Sequence, residues 1–348
     1  LSRRRIVVIG ASAGGVEALR ETVGSFPADF PAPILVVLHV PAYQPSALPE
    51  ILSRSGPLRA SHALDGEKLK RGQIYVAPPD HHLLLHGQSI AVTRGPKENR
   101  FRPSIDALFR SAAYTHGPRA IGIVLSGALD DGTSGLWSIK RLGGLAIVQR
   151  PSEARHDSMP TSAIQQVEVD YTVPAGEIGP LVSRLVADKP RAAPRGTRGD
   201  QKRMQIEVAI ATEDAAFQKD MMKLGDPSPF TCPECHGVLF RIQEQKTARF
   251  RCHTGHAYTE SSLIEGGMES TGEMLWQVMR SYEEAVMMLQ DMALHLKEAG
   301  DSKRASVCLA KARDLEKRSR KMSAIVLEHE SLSADNLDAA PARLFARK

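Results

Sequence analysis

Residues 6 to 9 are four apolar residues in succession, Ile-Val-Val-Ile, and the run stops at Gly10. An unbroken, β-branched run of this kind predicts a strand covered on both faces. The same pattern returns at Pro33 to Leu38, Ile74 to Ala77, Ala120 to Leu125 and Leu145 to Val148. Between these runs the apolar positions fall at helical spacing. Residues 104–115 carry Ser104 as an N-cap and apolar side chains at 105, 108, 109 and 112. Further helices are expected after the loop 126–132, as far as residue 142, and over 177–187. Leu83–Leu85 and Ile90–Val92, split by His86-Gly87-Gln88, read as a hairpin. Strands alternating with helices predict an α/β fold over residues 1–187, a doubly wound, mainly parallel sheet with helices on both faces.

The pattern changes beyond residue 187. Residues 188–229 begin with a Pro-, Ala-, Gly- and Arg-rich stretch without periodicity and read as a basic linker and connecting segment. Residues 230–262 form a compact Cys/His unit, 268–332 a helical hairpin and 333–348 a tail. The first hairpin helix, expected over 272–298, has apolar residues at 275, 278, 282, 285, 289, 292 and 296, a coiled-coil-like seam. The second, over 302–330, repeats it more weakly at 305, 308, 312, 315, 322 and 326. The short Ala-Gly-Asp turn between them favours an antiparallel pair, suited to self-packing, self-association or docking on another helical bundle.

The 348 residues and 42% hydrophobic content allow two domains with substantial cores. Net charge is only +5, but residues 188–203 concentrate six Lys or Arg against two Asp. That run reads as a solvated tether in preference to a nucleic-acid surface. No run of ~18 apolar residues exists, so no membrane insertion is expected. Arg3-Arg4-Arg5 leads straight into a strand without the apolar region of a signal peptide, which points to the cytoplasm. Three of the four cysteines cluster, as metal ligands do in a reducing compartment.

The candidate chemistry sits at strand ends. Ser12 follows the first strand, in Gly10-Ala-Ser-Ala-Gly-Gly15; His39 follows the second; Asp131 lies in the loop after Ala120–Leu125. A parallel sheet delivers all three to its carboxyl edge, where open α/β sheets place their chemistry. A hydroxyl, an imidazole and a carboxylate are the set for nucleophilic acyl transfer, and amides at the helix start after Ser12 suit an oxyanion. Taken singly, each has a plainer reading: a turn serine, a structural histidine, a cap aspartate. A nucleotide loop fits poorly, because the glycines do not make G-x-G-x-x-G, no Gly-Lys-Ser/Thr occurs, and strand two ends in histidine, not an acid.

These residues resemble a known family. Gly-Ala-Ser-Ala-Gly-Gly (10–15), His39 before Val-Pro, Tyr-Val-Ala-Pro-Pro-Asp-His-His (75–82), Arg-Pro-Ser-Ile-Asp-Ala-Leu-Phe (102–109), Leu-Ser-Gly-Ala-Leu-Asp-Asp-Gly (125–132) and Met159-Pro160 are similar to the blocks of the bacterial chemotaxis protein-glutamate methylesterases, over about residues 4–187. The resemblance implies Ser12 as nucleophile, His39 as base and Asp131, the aspartate directly before glycine, as the orienting acid. It implies hydrolysis of glutamate γ-methyl esters on a chemoreceptor's helical bundle, with methanol released, and a related glutamine deamidation. Ala128 stands where the family usually has methionine, and the phosphoreceiver module of two-domain members has no counterpart in these residues. Met159-Pro160 is placed at the rim or in packing, Arg102 to Asp106 as a brace, and His81, His82 and His86 at the surface or rim.

Cys232-Pro-Glu-Cys235 and Cys252-His-Thr-Gly-His256 are two short ligand pairs separated by a hairpin-length insert, the spacing of a zinc ribbon. Cys232, Cys235, Cys252 and His256, with His253 as the alternative fourth ligand, would close a structural zinc site, and catalysis itself needs no cofactor. A similar ribbon-like tail occurs on some stand-alone homologues of the family. Cys308, mid-helix, reads as a small core residue. A non-catalytic regulatory or scaffolding protein that keeps the fold and acts by binding partners is the rival to the esterase; an intact Ser12, His39 and Asp131 favours the enzyme.

Overall fold

The computed structural model describes residues 5–190, 192, 198–212, 221–244 and 247–330. The expected tail 333–348, and parts of the expected linker, lie outside the described residues. The described chain forms two compact units, the first ending at Leu263 and the second beginning at Ile264.

In chain order the catalytic half runs β1 (Ile6–Ala11), α1 (Gly15–Gly24), β2 (Ile34–Leu38), α2 (Leu48–Ser55), β3 (Arg59–His62), β4 (Gln73–Val76), β5 (His82–His86), β6 (Ser89–Thr93), α3 (Ile105–His116), β7 (Ala120–Val124), α4 (Thr133–Arg141), β8 (Leu145–Gln149), α5 (Ser158–Gln166), β9 (Tyr171–Val173) and α6 (Ala175–Ala187). Seven of these strands make one parallel sheet in the order β3-β4-β2-β1-β7-β8-β9. β5 and β6 pair separately as the expected hairpin. The apolar runs occupy the sheet centre, where alternate side chains enter two cores. Ile6, Val8, Leu35, Val37 and Tyr75 pack with α3, α4 and the hairpin, whereas Val7, Ile9, Ile34, Val36 and Ile74 pack with α1, α2 and α6. Both faces are dry, so the strands need no polar alternation. The short edge strands β3 (Arg-Ala-Ser-His) and β9 (Tyr-Thr-Val) carry no such run and were not anticipated.

The expected basic linker is partly a helix. α7 spans Arg198–Thr212 and packs on α3 and the β5–β6 hairpin through buried Met204 and Ala211. Its inward stripe also holds Glu207, 1% exposed, and a charge on the buried face masks the amphipathic pattern. The Cys/His unit follows as a four-stranded antiparallel sheet, β10 (Asp226–Thr231), β11 (Val238–Glu244), β12 (Thr247–Cys252) and β13 (Ala257–Thr259). It belongs to the same compact unit as the parallel sheet. Ile206 and Ile210 of α7 join Phe240 and Ile242 of β11 in a small shared core.

The second unit is built from α8 (Glu260–Glu298), which begins 12 residues before the expected start at 272, and α9 (Ser302–Glu330). His329 bonds the Met268 carbonyl at 2.8 Å, so the helices run antiparallel. Ala293, Ala305, Ala312 and Val326 are buried between them. Val278 and Met292, expected in the seam, are 40% and 51% exposed; Met279 and Ala293 take the inward positions. Alanines at the crossing let the helices approach where a methionine would hold them apart.

Candidate active site

β1 ends at Ala11, and Gly14, with φ of 67°, turns the chain into α1. That geometry favours glycine, and a Cβ there would also meet Arg155 at 2.7 Å. Ser12 is thereby held on the carboxyl edge, its amide donating to the Ser126 carbonyl at 2.9 Å. The Ser126 hydroxyl donates to the Ala13 carbonyl at 2.8 Å, tying the loop after β7 to the serine turn. Gly127 lies against Ser12, where a Cβ would sit 2.9 Å from the Ser12 Cβ and 2.0 Å from the Met159 sulfur. Met159 is fully buried on α5 and packs behind the site.

Ser12, His39 and Asp131 come together. Ser12 Oγ lies 3.0 Å from His39 Nδ1, and His39 Nε2 lies 2.8 Å from Asp131 Oδ2. With Asp131 ionised, Nε2–H donates to the carboxylate and the Nδ1 lone pair faces the serine hydroxyl. The imidazole is therefore turned end for end relative to the usual serine-protease triad, with the same division of roles. Phe101 stacks on the His39 ring at a centroid separation of 3.7 Å and an interplanar angle of 9°.

Asp131 sits at the amino end of α3, where it accepts from the Ile105 amide at 2.8 Å and the Asp106 amide at 3.2 Å. It also accepts from Ser104 Oγ at 3.1 Å, Asn99 Nδ2 at 2.9 Å and the Gly132 amide at 3.0 Å. The residue expected to cap α3, Ser104, gives its hydroxyl to Asp131 instead, so a carboxylate distant in sequence caps the helix. Burial pushes the Asp131 carboxyl up, but the hydrogen bond and charge of His39, the Asn99 amide and the Ile105 amide outweigh it and hold the pKa below the usual range. Burial and the Asp131 charge push neighbouring Asp106 well above that range, so the negative charge resides on Asp131. Asp130 does not join His39. It is buried, its carboxyl raised to about 6 by desolvation, and it accepts from Thr259 Oγ1 at 2.8 Å.

The sequence-predicted neighbours sort as follows. Arg102 is the expected brace: its guanidinium bonds Asp80 Oδ1 at 2.7 and 2.9 Å and the Gly95 carbonyl at 2.9 Å. His82, expected at the surface or rim, is fully buried. Nε2 lies 2.9 Å from the Pro96 carbonyl, Nδ1 accepts from the Ser104 amide, and desolvation lowers its pKa, so a neutral imidazole pins the turn before α3. His81 is half-buried and His86 exposed. Asn99 and Phe101 went unnoticed in the sequence. They lie on a tight turn, Lys97–Phe101, whose central residues Asn99 and Arg100 have φ of 51° and 73°. Asparagine tolerates that region well, and an Asn at a turn centre is the one local signal available.

The ligand atoms of Cys232, Cys235, Cys252 and His256 all lie within 4.8 Å of one another. Cys235 Sγ and Cys252 Sγ are 3.6 Å apart, and His256 Nδ1 is 3.5 Å from Cys252 Sγ and 3.7 Å from Cys232 Sγ. A tetrahedral ion with Zn–S of about 2.3 Å and Zn–N of about 2.0 Å has edges of roughly 3.5–3.8 Å, so the four residues fit one zinc. The hydrogen bond between Cys232 and Cys252, with His256 adding to it, draws the Cys252 thiol down, and the same bond together with burial pushes Cys232 up, so the pair holds one thiolate. His256 Nε2 faces Glu234 Oε2 at 3.6 Å, the carboxylate–imidazole arrangement that orients a metal-bound histidine. His253, the alternative ligand, is outside the cluster.

A parallel doubly wound sheet that carries a serine, a histidine and a buried carboxylate in hydrogen-bonded sequence at its carboxyl edge defines a serine hydrolase. Comparison with known proteins narrows this. The CheB methylesterase family model matches residues 7–182, and the chain belongs to that family. A Leptospira interrogans chain carrying the protein-glutamate methylesterase/protein-glutamine glutaminase name is 39% identical over 180 residues, 51% of this chain and 93% of its own length. A Rhodopseudomonas palustris protein-glutamate methylesterase/protein-glutamine glutaminase is 40% identical over 178 residues, 50% of this chain but only 49% of that protein. The crystal structure of the Thermotoga maritima CheB methylesterase catalytic domain is matched over its whole length and 53% of this chain, at 35% identity and a TM-score of 0.52. The family model ends at residue 182, and each of these relatives covers only about half of this chain.

Proposed function

We propose that the chain is a protein-glutamate methylesterase that hydrolyses glutamate γ-methyl esters, and deamidates glutamines, on the helical bundle of a chemoreceptor. The observation that carries this reading is the unbroken line Ser12–His39–Asp131. Ser12 Oγ attacks the ester carbonyl as its proton passes to His39 Nδ1, and the resulting imidazolium faces the Asp131 carboxylate. Collapse of the tetrahedral adduct returns the proton to the leaving methoxide as methanol and leaves a glutamyl ester on Ser12. Water, deprotonated by the same nitrogen, releases the glutamate. With a glutamine the leaving group is ammonia. The amino end of α1, directly after Ser12, supplies the positive field for the oxyanion.

Methanol release from methylated receptor, followed with the full chain and with Ser12→Ala, tests this. Loss of about 10³-fold or more in kcat is expected, and turnover unchanged in the variant would refute the assignment. The four-residue ribbon cluster is proposed as a structural zinc site, closed to substrate by its full ligand set, in keeping with a reducing cytoplasm. Elemental analysis of freshly purified protein should give about one zinc per chain; less than about half would reject it.

A further inference from the structure

The turn Lys97–Phe101 carries two side chains that touch the triad, Asn99 on Asp131 and Phe101 on His39. Its own hydrogen bonds are the tight pair between Glu98 and Phe101, at 2.9 and 3.2 Å. α3 holds it through Arg110, which donates to Glu98 at 3.0 and 3.2 Å, and the Cys/His unit supplies the backbone pairing and further side-chain contacts. The Asn99 amide donates to the Ala257 carbonyl at 2.7 Å and the Ala257 amide to the Lys97 carbonyl at 3.2 Å, so β13 pairs with the turn. Asn99 Oδ1 accepts from the Thr259 amide at 3.0 Å and Ser262 Oγ at 3.1 Å. Thr259 and Ser262 are the capping box of α8: Thr259 Oγ1 accepts from the Ser262 amide and Ser262 Oγ from the Thr259 amide. The Asn99 carboxamide thus bridges this cap to the catalytic carboxylate.

The turn is also tied to the ligand cluster by charge. Arg251, next to Cys252, donates to Glu98 Oε1 at 2.8 Å and to the Gly255 carbonyl of the Cys252–His256 knuckle at 2.7 Å. Lys97 lies 3.4 Å from Glu234 Oε2, the carboxylate that faces His256.

We propose that the Cys/His unit is a metal-dependent positioning clamp for the esterase: by ordering β13 and the α8 cap it sets the turn Lys97–Phe101, and through it Asn99 and Phe101 hold the Asp131–His39 pair in register with Ser12. Asn99 is a positioning residue, acting through Asp131. The inference rests on the triad reading above and not on the identity of the ester.

Two measurements on the full chain test it. The rate of Ser12 labelling by a fluorophosphonate reports triad competence without any natural substrate. Hydrogen exchange of residues 97–101 reports the turn. Ser262→Ala, which leaves all metal-ligand residues intact, should label about three- to tenfold more slowly. Asn99→Gly, which keeps the positive φ accessible, should label about ten- to a hundredfold more slowly. With methylated receptor, Asn99→Gly should lower kcat by a similar factor with KM within about twofold. The acid limb of its pH–rate profile should move to higher pH, because Asp131 with one hydrogen bond fewer holds the imidazolium more firmly. Chelator-treated protein shown to be metal-free should exchange residues 97–101 at least tenfold faster, with β1 unchanged, and should lose labelling in parallel. Wild-type labelling rates in Ser262→Ala and Asn99→Gly, or a metal-free chain that labels and exchanges like the loaded one, would overturn the clamp. A chain that labels at Ser12 but releases no methanol from receptor would fail the substrate reading alone and leave the clamp standing.

Discussion

Replacing Glu207 by glutamine keeps the shape of a buried side chain and removes its charge. Arg110, Arg249 and Arg251 are buried beside Glu98, Glu207 and Glu244, so three cations balance three anions. Glu207 alone touches all three arginines: Arg249 most closely, Arg251 at 3.2 Å and Arg110 at 3.4 Å. Glutamine would leave one positive charge uncompensated in the interior, and breaking a buried pair from one side costs about 3–5 kcal/mol. The pKa gives an independent figure. Burial pushes the Glu207 carboxyl up, but the arginines, Arg110 foremost, overcome this and hold it at about 2, against an ordinary 4.5. A folded pKa below the unfolded one stabilises above about 4.5, and the gain is lost as pH falls toward 2. At about 1.4 kcal/mol per unit this is roughly 3.5 kcal/mol. Urea unfolding in a Trp276→Phe background, with Trp137 fluorescence as the probe of the first unit, measures it. The expected loss in Glu207→Gln is about 3–5 kcal/mol at pH 7, shrinking as the pH is lowered below about 4. A loss under about 1 kcal/mol at pH 7, or one that does not change with pH, would refute the argument.

Asp130 predicts the opposite pH dependence. Its folded pKa of about 6 exceeds the ordinary 3.8, so its contribution is complete below about 4 and lost as pH rises through 6, roughly 3 kcal/mol in all; Asp130→Asn should match the wild type in urea at pH 4 and exceed it at pH 7.5, and an equal offset at both would count against it. Gly127→Ala forces a methyl between Ser12 and Met159; overpacking of about 1–3 kcal/mol and at least a tenfold slower fluorophosphonate reaction are expected, and an unchanged rate would show that the serine turn yields freely. Ala305 is fully buried in the helical unit. Ala305→Leu should lower stability there by about 1–3 kcal/mol, read from Trp276 fluorescence in a Trp137→Phe background, and no change would deny close helix packing at that position.

The sheet centre was legible because its strands are dry on both faces: Ile6–Ile9, Ile34–Leu38 and Ala120–Leu125 can be nothing else. Three strand ends then brought Ser12, His39 and Asp131 to one edge, where the structure places them within hydrogen-bond reach. The edge strands Arg59–His62 and Tyr171–Val173 carry too few buried positions to announce themselves. Asn99 and Phe101 were invisible for another reason. What matters about them is the company they keep in space, with Asp131 and His39, and a five-residue turn has no periodicity to betray it.

The same reasoning explains why residues 188–229 read as a linker and connecting segment although part of them, α7, is packed against β11 of the Cys/His unit. Arg249 and Arg251, at i and i+2 on β12, read as the wet face of a strand. Glu207 on α7 and Arg110 on α3 each look like a flaw in an apolar stripe. All four are buried because each polar pattern meets the complement of another. An apolar interface tolerates sliding, since burial energy depends on area and not direction. A charged one does not, because a one-residue slip of β12 would turn Arg249 and Arg251 to the opposite face and leave the buried glutamates without their partners. This constraint fixes where β13 lies, and β13 pairs with Lys97–Phe101. The register that keeps the buried charges paired is therefore the register that brings Asn99 to Asp131, so neutrality at the interface and geometry at the triad are satisfied by one docking position.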